Sequence, residues 1–69
     1  MEIKARVPGT VEALKVKVGD SVKRMDTLFV LEAMKMMQNV PSPTDGEVVE
    51  VNIEAGDRVK AGQVVMIIE

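Results

Sequence analysis

The chain has 69 residues, a formal net charge of −2, no cysteine, histidine, tryptophan or tyrosine, and a single phenylalanine. That composition excludes disulfide or thiolate-metal support, removes the usual general base and commonest metal ligand, and leaves neither stacking platforms for bases nor a cationic footprint for nucleic acid or an anionic membrane. The length allows one small domain; no apolar run approaches the ~20 residues that span a bilayer and no signal-peptide pattern opens the chain, so no direct membrane contact is expected and the cytosol is the default compartment.

Taken in chain order, Ile3 and Ala5 precede Pro8, and the segment GTVEALKVKVGDSVKRMDTLFVLE follows over 9–32. Within it Leu14, Val16 and Val18 alternate with Lys15 and Lys17, the period of a half-buried strand. Gly19-Asp20 supplies a turn, since glycine permits positive φ and aspartate tolerates turn geometry. TLFVL (27–31) is a short, nearly continuous apolar run suited to a strand closed against a core. After AMKMMQN (33–39), Pro41 and Pro43, the plan recurs over 46–69 as GEVVEVNIEAGDRVKAGQVVMIIE. Val49, Val51, Ile53 and Ala55 alternate with Glu50, Asn52 and Glu54, Gly56-Asp57 turns the chain, and VVMII closes it. The prolines stand just ahead of each unit, at strand edges where a missing N–H does least harm.

A shift of 37 residues lays the first segment on the second without a gap, with seven identities over 24 positions: Gly9/Gly46, Val11/Val48, Gly19/Gly56, Asp20/Asp57, Val22/Val59, Lys23/Lys60 and Glu32/Glu69. Apolar positions correspond as well, and the register extends upstream to Ile3 on Val40 and Ala5 on Ser42. Two units without a third point to a closed pair, not a repeat array. The expected architecture is all-β: a flattened antiparallel barrel or sandwich whose tandem halves, 3–32 and 40–69, are related by a pseudo-two-fold.

Only residues 33–39 lack a counterpart. Leu31 to Gln38 are all good helix formers, but about seven residues make no stable helix without packing, and the flanking strands are fixed by their repeat partners. The connector is therefore a hairpin with its tip near Met34-Lys35, and the chain termini should meet at the opposite end. A tight tip prefers Asn-Gly or Asp-Gly, and places where local rules fail are disproportionately functional. By position alone a loop-tip lysine is an ordinary solvated residue and the methionines are gap fillers. Charge is uneven about the tip, with six Lys/Arg against five Asp/Glu over 1–34 and two against six over 36–69. That imbalance reads as a solvated face or as a means of electrostatic steering. No constellation for catalysis by the chain itself is present. A covalently modified carrier and an unmodified interaction module on the same barrel both remain open.

The segment EAMKM (32–36) resembles the attachment motif of biotin carboxyl carrier domains. The likeness runs the whole length, through the Met-Lys-Met tip at the midpoint of the repeat, PTDG (43–46) and VNIEAGDRVKAGQVVMIIE. The resemblance implies a barrel-sandwich of two four-stranded sheets with biotin in amide linkage to Nζ of Lys35. It implies that Met34 and Met36, with Ala33 and Glu32, are what a biotin protein ligase recognises. It further implies a non-catalytic carrier working between biotin carboxylase (or decarboxylase) and carboxyltransferase subunits or domains, with an acyl-CoA or 2-oxo acid as acceptor. The related lipoyl domains usually carry Asp-Lys-Ala at the tip, which makes lipoate the alternative cofactor. The protruding loop found in some acetyl-CoA carboxylase members has no counterpart, because the first half matches the second without insertion.

Overall fold

A computed structural model describes all residues, 1–69, and contains eight strands and no helix. They are β1 (Glu2–Lys4), β2 (Gly9–Leu14), β3 (Ser21–Val22), β4 (Thr27–Ala33), β5 (Met36–Pro41), β6 (Gly46–Val51), β7 (Arg58–Val59) and β8 (Val64–Ile68). They form two four-stranded antiparallel sheets, ordered β1-β8-β6-β3 and β5-β4-β2-β7. Exchanging β1–β4 with β5–β8 turns one order into the other, so each sheet takes strands from both halves of the chain. Neither half can close a core alone; burial requires both.

The core consists of pseudo-symmetric pairs. Val11 and Val48, Leu28 and Val65, Phe29 and Met66, and Leu31 and Ile68 occupy equivalent positions, each no more than 2% exposed. Met66 fills the place that Phe29 takes in the other half, and it is the one buried methionine of six. Ser42, equivalent to Ala5, is buried too; its hydroxyl donates to the Thr44 carbonyl at 2.6 Å, and no buried side-chain polar atom lacks a partner.

Most of the identities between the halves have a local reason. Gly19 and Gly56 hold φ of 98° and 97°, a region open to glycine at little cost. The Oδ2 atoms of Asp20 and Asp57 accept from the backbone N–H of Lys17 and Glu54, each at 2.9 Å, and close the same turn. The Gly19 N–H donates to Val48 O at 2.8 Å and the Gly56 N–H to Val11 O at 2.7 Å, which stitches each turn to the other half. Gly9 and Gly46 are close-approach sites. A Cβ on Gly9 would strike the Glu32 carbonyl oxygen, and one on Gly46 would lie 2.7 Å from the Glu69 carbonyl oxygen. Glycine alone lets each strand pass so near the end of its neighbour.

Strict alternation fails at two places. Val11 pairs with Leu31 but Ala13 with Val30, leaving Glu12 as an extra residue; Val48 pairs with Ile68 but Glu50 with Ile67, leaving Val49 extra. These are β-bulges, two residues opposite one, and they reset which side chains face inward. The inward residues of β6 are therefore Val48 and Val51, while Val49 is 37% exposed. The expected alternation over 49–55 and 14–18 holds at Val51, Ile53, Leu14 and Val16, which lie in or against the core, and is corrected at Val49, Ala55 and Val18, which are exposed. β6 ends at Val51 and β2 at Leu14, and Val18 and Ala55 lie exposed in the turns that follow.

The terminal amine donates to the Ile68 carbonyl, and the Ile68 N–H donates to Met1 O at 2.9 Å. The ends of the chain thus lie together between β1 and β8, where the pseudo-two-fold carries the β4–β5 turn. No helix is long and apolar enough to cross a membrane.

Candidate functional site

β4 and β5 pair from Thr27↔Pro41 to Ala33↔Met36, so the turn between them contains two residues, Met34 and Lys35. Both have positive φ, 54° and 66°. A two-residue hairpin turn of type I′ demands this at both central positions, because its twist matches that of the strands. Glycine and asparagine meet the demand cheaply. An L-residue with a full side chain costs about 1–2 kcal/mol at each position. The pairing on either side holds the turn in place: Ala33 is 2% exposed and anchors its base against the core.

The strain buys display. Met34 is 91% exposed, Met36 65% and Met37 57%, and Lys35 and Glu32 are exposed as well. Three thioethers and one primary amine therefore stand in solvent at the end of a rigid ladder. Methionine is unbranched and polarisable, suited to surfaces that must adapt to more than one partner. No group of three or more His, Cys, Asp or Glu residues is placed to hold a metal ion.

Of the residues singled out in the sequence, Lys35 and Met34 form the turn itself, and Ala33 and Met36 are its closing pair. Glu32 lies one residue farther back, opposite Met37 on β5 and Thr10 on β2. Thr10 in turn pairs with Arg58 on β7, so a row Arg58–Thr10–Glu32–Met37 crosses all four strands of the sheet. Sequence reasoning missed Thr10, Arg58, Lys60 and Gln63, which line an open recess of about 640 Å³ together with Glu32 and Lys35. The signal was in the repeat: Thr10, Arg58 and Gln63 differ in charge from their counterparts Glu47, Ser21 and Asp26, whereas Lys60 matches Lys23 and carries no such mark.

The family model described as "Biotin-requiring enzyme" matches residues 1–68. Over 67 residues the chain is 39% identical to the pyruvate carboxylase of Staphylococcus aureus, covering 97% of this chain and 6% of that protein. Over 61 residues it is 44% identical to the dihydrolipoyllysine-residue acetyltransferase component of the pyruvate dehydrogenase complex of Mycoplasma capricolum, covering 88% of this chain and 14% of that protein. Among solved structures, the lipoyl domain of the 2-oxoglutarate dehydrogenase complex from Azotobacter vinelandii superposes with a TM-score of 0.84 at 28% identity, over 99% of this chain and 94% of that one. The chain thus spans only a small fraction of the multidomain relatives and nearly the whole of the isolated lipoyl domain.

Proposed function

The chain belongs to the biotin-requiring enzyme family, and from that premise we propose that it is a biotin carboxyl carrier domain with biotin in amide linkage to Nζ of Lys35. The observation that carries this reading is the tip turn. A solvated amine is displayed on two left-handed L-residues where Asn-Gly would be cheaper, and observed strain of this kind motivates a functional hypothesis. The residues suit the group: the amine is exposed on a rigid hairpin, and its four-carbon stem extends an acyl chain clear of the barrel. All of 1–69 is read as one domain, with halves 3–32 and 40–69 joined through 33–39.

The attached group supplies the carboxyl-carrying chemistry, and the protein supplies placement. In this reading the carrier moves a carboxyl group between a biotin carboxylase or decarboxylase site and a carboxyltransferase site acting on an acyl-CoA or 2-oxo acid. Tethering replaces diffusion with an effective concentration on the order of millimolar. Met34 and Met36, with Ala33 and Glu32, are what a biotin protein ligase reads. The chain has no histidine or cysteine to deprotonate its lysine, so activation falls to the ligase.

Lipoate on the same lysine is the second reading, favoured by the likeness to lipoyl-bearing proteins. Intact mass after co-expression with a biotin protein ligase, beside a Lys35→Ala control, separates the two. A gain of one biotinyl group that the control lacks is the expected result. A gain from a lipoyl ligase alone would change the cofactor, and no gain from either would leave an interaction module.

A further inference from the structure

The pseudo-two-fold gives each end of the barrel an internal control. The recess beside Lys35 is built from β7 against β2, with Gly9 opposite Val59 and Thr10 opposite Arg58. At the other end β3 lies against β6 in the same register, with Gly46 opposite Val22 and Glu47 opposite Ser21. Gln63 Oε1 accepts from the Lys60 N–H at 3.0 Å, as Asp26 Oδ2 accepts from the Lys23 N–H at 2.9 Å. The backbone is the same at both ends, but the charge is not. Pro8 stands for Asp45, Thr10 for Glu47, Arg58 for Ser21 and Gln63 for Asp26, while Lys60 matches Lys23 and Glu32 matches Glu69. Each of these four charge-changing differences among the lining residues makes the Lys35 end more positive, while the neighbouring Ala61 in place of Arg24, outside the lining, runs in the other direction. Residues 36–69 contain only two cations, Arg58 and Lys60, and both line this recess.

We propose that the recess is a binding site for the carboxylate of the group on Lys35 in its loaded, N-carboxylated form, occupied between loading and delivery. The proposal rests on the biotin reading, since an acylated lipoyl arm carries no such anion. The planar guanidinium of Arg58 matches a carboxylate bidentately, and Lys60 adds a point charge. Because Gln63 Oε1 is engaged by the Lys60 N–H, its amide N–H groups are the ones left to donate. The Thr10 hydroxyl is a further donor. Glu32, the recess's one acid, lies across Thr10 from Arg58 and directs the anion toward the β7 side. The unloaded ureido ring is neutral and gains little, so the site discriminates between the two states of the arm.

Such a site slows loss of the cargo. Spontaneous decarboxylation breaks the bond from ureido nitrogen to carboxyl carbon; the electron pair stays on nitrogen, which takes a proton from water, and CO₂ departs. Donors that hold negative charge on the carboxylate resist its withdrawal toward the ring. Because the cations are exposed, the effect is modest, about two- to fivefold in rate.

The test uses the biotinylated chain, loaded by a biotin carboxylase with ATP and ¹³C-bicarbonate and compared with its unloaded form by ¹H–¹⁵N NMR. Amide signals of Thr10, Arg58, Lys60 and Gln63 should move on loading, while those of Ser21, Lys23 and Asp26 stay in place. The double variant Arg58→Ser, Gln63→Asp installs residues that the same backbone already carries at its other end, and aspartate keeps the acceptor for Lys60, so it should fold. It should lose the shifts and release label about two- to fivefold faster. Shifts confined to 33–37, or equal release rates, would overturn the recess alone. A chain that takes no biotinyl group by mass would overturn the carrier reading and the recess with it.

Discussion

Replacing Met34 with glycine should stabilise the domain and at the same time impair its modification. Met34 holds φ 54° and is 91% exposed, so its truncation removes almost no burial. An L-residue in the left-handed region costs about 1–2 kcal/mol, whereas glycine there costs only the extra backbone entropy of about 0.5–1 kcal/mol. The balance is a gain of about 0.5–1 kcal/mol. With an unfolding entropy of about 2.1 cal/mol/K per residue, a chain of 69 residues should melt about 3–7 °C higher. Met34→Ala keeps the strained backbone and should leave Tm within about 3 °C of the parent. Both variants remove the thioether beside Lys35 and should slow ligase-dependent biotinylation by about tenfold or more, as loss of a hot-spot side chain does. Thermal melting by circular dichroism and a time course of intact mass measure the two quantities separately. A Met34→Gly domain that melts lower than the parent would refute the strain argument. Undiminished modification of both variants would refute the display argument.

Three further outcomes follow from the same geometry. Met25 holds φ 79° where its pseudo-equivalent Gly62 holds φ 87°, so Met25→Gly should also raise stability by about 0.5–1 kcal/mol, with modification unchanged; a lower midpoint in urea would count against it. Gly9→Ala drives a Cβ into the Glu32 carbonyl at the base of the tip hairpin and should cost about 1–3 kcal/mol, read from the same urea midpoint, and should also slow biotinylation by displacing β4. Asp20→Ala and Asp57→Ala each remove one carboxylate from an equivalent turn and should each cost about 1–3 kcal/mol, equal to within about 0.5 kcal/mol; unequal losses would show that the ends differ in more than charge.

The tip and the duplication were legible in the sequence because each announces itself locally. Lys35 sits in the only stretch without a repeat partner, and Gly19/Gly56 and Asp20/Asp57 are turn residues wherever they occur. The strand interiors were less legible. A bulge at Glu12 or Val49 is defined by what lies opposite it, and no period along one strand encodes that. Hence simple alternation places Val18, Val49 and Ala55 on a buried face that they do not join. Gly9 read as a repeat marker, and its crowding against Glu32 appears only when β2 and β4 are brought side by side. The neighbours of Lys35 across the sheet were invisible for a related reason: Arg58 and Lys60 are more than twenty residues away in the chain and become its neighbours only through the pairing of β7 with β2. The acidic bias of the second half is real in sum, yet its two cations are gathered beside the tip.

The adjacency of Met1 and Ile68 has a mechanical consequence. A folded body whose entry and exit lie side by side can be spliced into a longer polypeptide as a pendant, with both connecting threads leaving from one point and neither straining the fold. Such a body swivels about its attachment as one piece. The radius swept by its far extremity is fixed by the stiffness of two cross-laced sheets, and the length of the threads sets only how widely it roams.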